Sequence, residues 1–230
     1  MKRICLFPLV ALSALFLFSC ADDDGNESAP DYSALTGSSY NESVWNTSSL
    51  DTARSVSGIL DVEKDVILEL NKARNNPKAY AALYILPLKD TFKGKEGTVA
   101  LVECLSEMSK LDSLDALSFA RGLYDCAKAH AVESAEAGAF SHTRVNGTET
   151  FDAFKKYGSY SSAGENIAAG QKTPRDVVVD LLIDDGVAGR GHRKNILSAN
   201  FDAVGAGYSD KHKIYRTMWV FDFASGWNDK

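Results

Sequence analysis

An α+β fold is predicted by a change in the hydrophobic period along the chain. Apolar residues recur at helical spacing from Asp61 to about Ala135, whereas Ile214 to Ala224 alternates between aromatic and other residues like a strand. The 230 residues are 45% hydrophobic and 24% charged, which is typical of one soluble domain with additional segments. Helices early in the chain and paired antiparallel strands late in it predict helices packed on a sheet.

The chain begins with the features of an export signal. A basic pair precedes a largely apolar stretch from Ile4 to Phe18, and this stretch of about 15 residues is shorter than the roughly 20 that span a bilayer. Leu17 to Cys20 resembles a bacterial lipobox. We therefore expect residues 1–19 to be a lipoprotein signal peptide, and Cys20 to be lipidated and to anchor the chain to a lipid membrane.

The segment after Cys20 is predicted to be a flexible tether over residues 20–60, followed by a folded domain over 61–230. It starts with an acidic cluster, Asp22 to Asp24, and continues with many Ser, Asn, Gly and Thr residues. An acidic cluster beside a lipidated Cys resembles a surface-export signal of some Gram-negative lipoproteins, and it is equally typical of a solvated spacer. The expected location is the bacterial cell envelope, as an outer-membrane lipoprotein that is surface-exposed or periplasmic.

The helical period and the end signals predict five helices and two strands. The helices are expected at 61–75, 79–85, 99–108, 115–135 and 174–183, and the strands at 203–208 and 214–224. Asn76 and Pro77 end the first helix, and Thr173 and Pro174 begin the last one. His130 lies at the edge of an apolar helix face, so we interpret it as a packed, hydrogen-bonded histidine and not as a metal ligand.

Three polar, glycine-flanked segments indicate the functional site: Ser141–Thr143, Gly164–Ile167 and Gly191–Leu197. The chain has four histidines, and two of them lie in these segments beside a glutamate. Two imidazoles and one or two carboxylates suit Zn²⁺, with water completing the coordination and a spare carboxylate acting as base. The same residues also suit a hydrogen-bonded network without a metal, and both interpretations stay open.

The order of these motifs resembles the CAP superfamily, also called SCP, which groups cysteine-rich secretory proteins, antigen 5 and pathogenesis-related 1 proteins. The resemblance also includes Asn71–Arg74, Val204–Gly207 and Val220–Ala224. It implies an α-β-α sandwich with an antiparallel sheet and a cleft lined by two histidines and two acidic residues. These positions correspond to His142, Glu165 and His192, with Asp184 or Asp185 nearest the fourth, and this set is the candidate metal site.

The resemblance leaves three functions open. The first is a binding module whose cleft takes a lipid, a peptide or an envelope ligand, with or without a divalent metal. The second is a metal-dependent hydrolase, most naturally a protease, with Glu165 as the candidate catalytic base. The third is a structural adhesion domain. A nucleic-acid partner is not expected, because the formal charge is −6 and there is no dense basic face.

Other chemistries fit the sequence less well. Ser141 directly precedes His142, and sequence neighbours seldom face each other as nucleophile and base. No His-Glu-x-x-His segment or phosphate loop occurs. Cys104 and Cys126 fall on predicted helices, and a disulfide between them is as compatible with the sequence as two buried thiols.

Overall fold

A computed structural model describes residues 30–37 and 39–230 of the protein. The predicted signal peptide, the lipidation site at Cys20 and the acidic cluster lie outside the described residues. Within the described ranges, no helix is both long enough and apolar enough to cross a bilayer.

The described chain contains eight α-helices and six strands. The helices are α1 Thr47–Leu50, α2 Asp61–Asn75, α3 Pro77–Tyr80, α4 Val99–Met108, α5 Arg121–Ala137, α6 Thr150–Tyr157, α7 Pro174–Ile183 and α8 Gly191–Ile196. The strands are β1 Ser118–Phe119, β2 Gly158–Ser159, β3 Ser162–Ala169, β4 Ala203–His212, β5 Arg216–Ser225 and β6 Asn228–Asp229. A single π-helical turn, Ala81–Ile85, continues α3.

The main sheet has four strands in the order β1, β4, β5, β3. Strand β5 pairs antiparallel with both β4 and β3, so the hairpin predicted at the C-terminal end is confirmed. The short strand β1 pairs parallel with β4, which makes the sheet mixed and not purely antiparallel. Strand β3 lies at an edge of this sheet, and β2 and β6 form a separate small pair.

Helices cover both faces of the sheet, which confirms the α+β sandwich. Alternate residues of β5 point to opposite faces: Met218 and Val220 pack with α5, whereas Trp219, Phe221 and Phe223 join the core that includes α2, α4 and α7. Glycine in β4 allows α5 to pack closely against the sheet. A Cβ atom on Gly205 would lie 2.1 Å from the backbone nitrogen of Tyr124, so α5 reaches this distance from β4 only because the side chain is absent.

The helix predicted at 115–135 begins later in the structure. Ser118 and Phe119 form β1, and the main chain of Leu117 is held by the Asn71 side chain, whose Oδ1 accepts from Leu117 N at 2.8 Å and whose Nδ2 donates to Leu117 O at 3.1 Å. These long-range bonds keep residues before Arg121 extended. The bounds predicted for α2, α4 and α7 are confirmed.

Residues 39–60, predicted as the end of a flexible tether, are instead packed on the domain; we call this segment the strap. Trp45 and Leu50 are buried in the main core. The Trp45 indole donates to the Lys72 carbonyl at 3.0 Å, and its ring stacks on Tyr84 at 6.1 Å between centroids. Aromatic burial therefore fixes the strap, although its composition is typical of a spacer.

A buried arginine positions the chain that follows α8. The guanidinium of Arg74 donates to the carbonyls of Ile196, Ser198 and Phe201, at 2.8, 2.7 and 3.2 Å. Burial lowers the pKa of Arg74 to about 10. The Asn71–Arg74 motif is thus structural: it joins α2 to β1 through Asn71 and to the end of α8 through Arg74.

Candidate functional site

A buried glutamate holds two histidines at the edge of the sheet. Glu165 Oε1 lies 2.8 Å from His142 Nδ1, and Glu165 Oε2 lies 2.9 Å from His130 Nδ1. The His142 side chain is 55% exposed, whereas those of Glu165 and His130 are buried. Both carboxylate oxygens are therefore used to orient imidazoles, and only the His142 ring reaches solvent.

The elements around Glu165 explain this arrangement. Glu165 and Ile167 lie on the face of β3 that packs against α5, and His130 projects from α5 towards the same face. His130 Nε2 lies 3.0 Å from the carbonyl of Ser141, which fixes the loop that carries His142. Thr150 Oγ1 donates to the His142 carbonyl at 2.7 Å. Both ring nitrogens of His130 thus face oxygen atoms, one of Glu165 and one of Ser141.

A second carboxyl group, that of Asp222 on β5, lies directly opposite Glu165 on the neighbouring strand β3. The two residues are cross-strand partners in the β3–β5 pair, and Asp222 is fully buried. Neither of its carboxyl oxygens has a hydrogen-bond partner among the described residues. Arg144, which donates to the carbonyl and the Sγ atom of Cys126, is the nearby cation. The site thus has two adjacent buried carboxyl groups on one face of the sheet.

These two groups have opposite pKa shifts. Burial raises the pKa of Glu165, but the hydrogen bonds from His130 and His142 outweigh burial and hold it below its usual value. Burial, followed by the charge of Glu165, raises the pKa of Asp222 well above its usual value. The hydrogen bond to Glu165 raises the pKa of His142 above 6.5. The negative charge is therefore favoured on Glu165 over Asp222, next to the His142 imidazole, which favours its charged form.

A second histidine and carboxylate pair lies where α7 is followed by α8. Asp184 ends α7 with a left-handed backbone, φ 57°, which turns its carboxylate towards α8. Its Oδ1 atom lies 2.7 Å from His192 Nδ1, and Oδ2 accepts from the amides of His192 and Arg193 at 2.9 and 3.3 Å. One buried aspartate thus fixes the ring of His192 and satisfies the first amides of α8.

Asn166 links the two pairs. It follows Glu165 on β3, so its side chain points to the opposite face of the sheet. Its Nδ2 donates to the His192 carbonyl at 3.0 Å, and its Oδ1 accepts from Asn195 at 2.8 Å. Successive residues of the Gly164–Ile167 motif therefore bond the two predicted site histidines. Glu165 bonds the ring of His142, and Asn166 bonds the backbone carbonyl of His192.

The structure brings together four of the five predicted metal-site residues as two pairs, His142 with Glu165 and His192 with Asp184. It does not bring Asp185 there. Asp185 accepts from the backbone amides of Lys95 and Glu96 at 2.5 and 3.1 Å and fixes that loop. The sequence alone does not distinguish the two neighbouring aspartates, because only the left-handed turn at Asp184 decides which carboxylate faces His192.

The structure also places the two cysteines, Ser141 and Arg193. Cys104 and Cys126 are both free and buried, and burial raises the pKa of the Cys104 thiol to about 12. The Ser141 hydroxyl accepts from the Thr143 amide at 3.1 Å, and His142 bonds Glu165, so these neighbours do not form a nucleophile and base pair. Arg193 is buried and bonds Glu107 and main-chain carbonyls.

The fit of a zinc ion is limited by these same bonds. In residues 30–37 and 39–230, no three His, Cys, Asp or Glu side chains converge as a metal site. The Nδ1 atoms of both imidazoles, both oxygens of Glu165 and both oxygens of Asp184 are already used within the site. The Nε2 atoms of His142 and His192 are the donors left to an ion in this arrangement, and two donors do not make a zinc shell.

Two residues of the site were not singled out from the sequence. His130 was expected to be packed and hydrogen-bonded, and it is, but its bond to Glu165 makes it part of the site. Asp222 lies in the strand predicted at 214–224, and the sequence pattern did not identify it as a site residue. The signal in both cases was a titratable residue in an otherwise apolar pattern, at a position that the helical or strand period assigns to the interior.

Comparison with known proteins places the chain in a family. The family model CAP, described as the cysteine-rich secretory protein family, matches residues 69–223. The uncharacterized protein YkwD of Bacillus subtilis strain 168 is 34% identical over 121 residues, which are 52% of this chain and 45% of that protein. The chain thus spans just under half the length of this relative.

Two solved structures are also similar. An extracellular protein containing an SCP domain from Bacillus anthracis is 25% identical, with a TM-score of 0.41, and the match covers 49% of this chain and 34% of that one. An outer surface protein from Borrelia burgdorferi is 22% identical, with a TM-score of 0.42, and the match covers 49% of this chain and 79% of that one. Because the family model spans more than half of the 230 residues, the chain belongs to the CAP family, the cysteine-rich secretory protein family.

Proposed function

We propose that this CAP-family protein is an exported, lipid-anchored binding module of the cell envelope. Its cleft binds a lipid or peptide ligand through the rings of His142 and His192. The anchor is the expected lipid on Cys20, and the N-terminal sequence supports it. The anchor would keep the cleft at the cell envelope, where both lipids and peptides occur.

The observation that carries the proposal is the half-exposed His142 ring on buried Glu165. Because Nδ1 is fixed by the carboxylate, Nε2 points away from it and is available to a ligand. The raised pKa of His142 favours a charged N–H donor there. Such a donor binds a carboxylate or a phosphate better than a neutral acceptor. We therefore expect the ligand to present an acidic group to His142.

The arrangement supports binding better than catalysis. A general base needs a free lone pair within reach of the proton that it removes. Both oxygens of Glu165 instead face imidazole nitrogens, at 2.9 and 2.8 Å.

The rival function is a metal-dependent hydrolase in the same cleft, with His142 and His192 as ligands and Glu165 as base. One observation favours it: each ring has its Nδ1 atom on a carboxylate, as histidines that bind metal through Nε2 commonly do. Zinc would polarise a substrate carbonyl or a water. Glu165 would then have to give up one of its imidazole partners to accept a proton.

The two functions are separated by one binding experiment on the full chain. Calorimetric titration with a long-chain fatty acid and with a peptide ending in a free carboxylate, each with and without zinc, is expected to show binding of at least one probe without metal. Glu165→Gln is expected to weaken that binding about tenfold, since it removes the charge that orients His142. Binding or peptide cleavage that requires zinc and is lost in the His142→Ala, His192→Ala double variant would instead support the hydrolase.

A further inference from the structure

The turn between β4 and β5 and the neighbouring Phe140 carry exposed apolar side chains. Ile214 is 66% exposed and Tyr215 is 46% exposed, and Phe140, two residues before His142, is 50% exposed. The Phe140 and Tyr215 rings meet edge to face, with centroids 6.0 Å apart. These side chains thus form one contiguous apolar surface, and not scattered single residues.

The backbone of this turn is rigidly supported. His212 is buried, and its Nδ1 atom accepts from the amides of Ile214 and Tyr215 at 3.2 and 3.1 Å. Its Nε2 atom donates to the carbonyl of Ala139 at 3.0 Å, which ties the turn to the chain before Phe140. The exposed side chains are therefore held in fixed positions by a buried imidazole, so their exposure is not the result of a loose loop.

Basic residues surround the apolar surface. Lys211, Lys213 and Arg216 are exposed, and none of them belongs to an ion pair in the described part of the chain. We call the six residues the hairpin patch: Phe140, Lys211, Lys213, Ile214, Tyr215 and Arg216.

Neighbouring charges leave the hairpin patch positive. Lys172 and Arg216 line a cleft of about 440 Å³ together with Asp210. Glu136 and Asp210 line the next cleft with Lys211. Together with Lys213 of the hairpin patch, these are four cations against two carboxylates, in a chain whose formal charge is −6. Lys128 also lines the second cleft, but it is paired with Glu63. The local charge is therefore opposite in sign to that of the whole molecule.

Arg216 adds a second, independent observation. Its φ angle is 76°, in the left-handed region where glycine is favoured and a long side chain is strained. Its side chain makes no ion pair in the described residues that would offset this strain. The fold would be served better by glycine, so an arginine at this turn indicates a role for its charge outside the fold.

We infer that the hairpin patch docks on an anionic lipid bilayer. Aromatic and aliphatic side chains flanked by Lys and Arg on a rigid turn are typical of segments that enter the headgroup region, where the apolar side chains are buried and the cations pair with phosphates. Docking would place His142 close to the membrane surface, because Phe140 lies two residues before it. This inference does not depend on the identity of the ligand in the cleft.

Hydrogen exchange of the full chain with phosphatidylcholine vesicles, with or without phosphatidylglycerol, tests the inference. The measurement is local, so attachment of the N-terminal segment to the vesicles does not mask it. Exchange of the amides from 211 to 216 is expected to slow about fivefold or more with phosphatidylglycerol vesicles only. Equal exchange with both kinds of vesicle would overturn the inference, as would slowing by an acidic polypeptide but not by vesicles.

Two variants make the test specific. Lys211→Glu with Lys213→Glu is expected to abolish the slowing, whereas the charge-matched control Lys93→Glu with Lys156→Glu, at exposed sites away from the turn, is expected to keep it. Arg216→Gly relieves the left-handed strain, so we expect it to leave Tm unchanged or raise it while it weakens the slowing. Full slowing in Arg216→Gly, or loss of the slowing in the control, would contradict the inference.

Discussion

At the residue scale, the site depends on which of two neighbouring buried carboxyl groups, Glu165 or Asp222, favours its charged form. The pKa of Glu165 is lowered because two imidazoles bond to it, whereas burial and the neighbouring charge of Glu165 raise the pKa of Asp222. Neither oxygen of Asp222 has a hydrogen-bond partner in the described residues, and a charge buried without a partner is costly. The protonation of Asp222 therefore affects the stability of the sheet beneath the site.

The first prediction concerns Asp222→Asn. A carboxyl whose folded pKa is raised binds its proton more tightly in the folded state, so its contribution to stability is lost as pH rises from the unfolded value of 3.8 towards the folded value. Asparagine does not ionise and avoids this loss. We therefore expect the unfolding free energy of the variant to rise relative to that of the natural chain as pH increases above 3.8.

Urea unfolding of both proteins across this range provides the measurement. Asp112→Asn, at a fully exposed aspartate, is the matched control and is expected to show no such trend. A constant difference between Asp222→Asn and the natural chain at every pH would show that Asp222 does not titrate differently in the folded protein.

At the scale of elements, the site exists because α5 lies unusually close to the sheet. Gly205 permits the approach, and the approach brings His130 to Glu165. The second pair depends on a turn, since the left-handed Asp184 joins the end of α7 to the start of α8. Helix packing thus positions one pair, and a single backbone conformation positions the other.

The second prediction is that Gly205→Ala destabilises the fold by about 3 kcal/mol or more, because the added methyl would overlap the backbone of α5 at Tyr124. Gly191→Ala is the control, since a Cβ there meets nothing within 4 Å and the backbone has no left-handed angle. We expect that control to stay within about 0.5 kcal/mol of the natural chain. Thermal unfolding of both variants checks the difference, and a similar loss in each would show that close packing at β4 is not required.

The elements that the sequence predicted well are those with a strong period of their own. Helices α2, α4 and α7 have regular apolar stripes and clear end signals, and their bounds are confirmed. Strand β3 was missed because its residues include a glycine and two buried polar side chains, Glu165 and Asn166, whose partners lie far away in the sequence. Likewise, the late start of α5 depends on Asn71 of α2, which is separated from α5 in the sequence by α3 and α4.

For the site, the sequence predicted His142, Glu165 and His192 because their motifs are polar and flanked by glycine. It could not pair them, since pairing depends on how β3 alternates between the two faces of the sheet. It also left zinc and a hydrogen-bonded network equally open, and the bonds that now occupy both carboxylates come from tertiary structure.

At the scale of the whole molecule, the strap extends the domain beyond the family match. The CAP model begins at residue 69, whereas the main core includes Trp45 and Leu50. Glu42 of the strap also bonds Lys72 at 3.0 Å and Arg175 at 3.2 Å. The strap therefore connects α2 and α7, and Asp184 directly follows α7.

The third prediction tests whether the strap is part of the folded unit. Trp45→Ala removes a buried indole and its hydrogen bond, so we expect a loss of about 3 to 5 kcal/mol in unfolding free energy. Val44→Ala, at a neighbouring exposed position, is expected to cost less than about 1 kcal/mol. Denaturant unfolding gives both values, and equal small losses would mean that residues 39–60 behave as a tether.

Buried Glu165 favours the charged form of His142, and an NMR pH titration of the His142 ring in the natural chain and in Glu165→Gln tests this directly. A raised folded pKa means that the stabilisation is fully present below 6.5 and is lost as pH rises through the folded value. We expect His142 to titrate above 6.5 in the natural chain and lower in the variant. Titration at or below 6.5 in the natural chain, unchanged by the substitution, would contradict it.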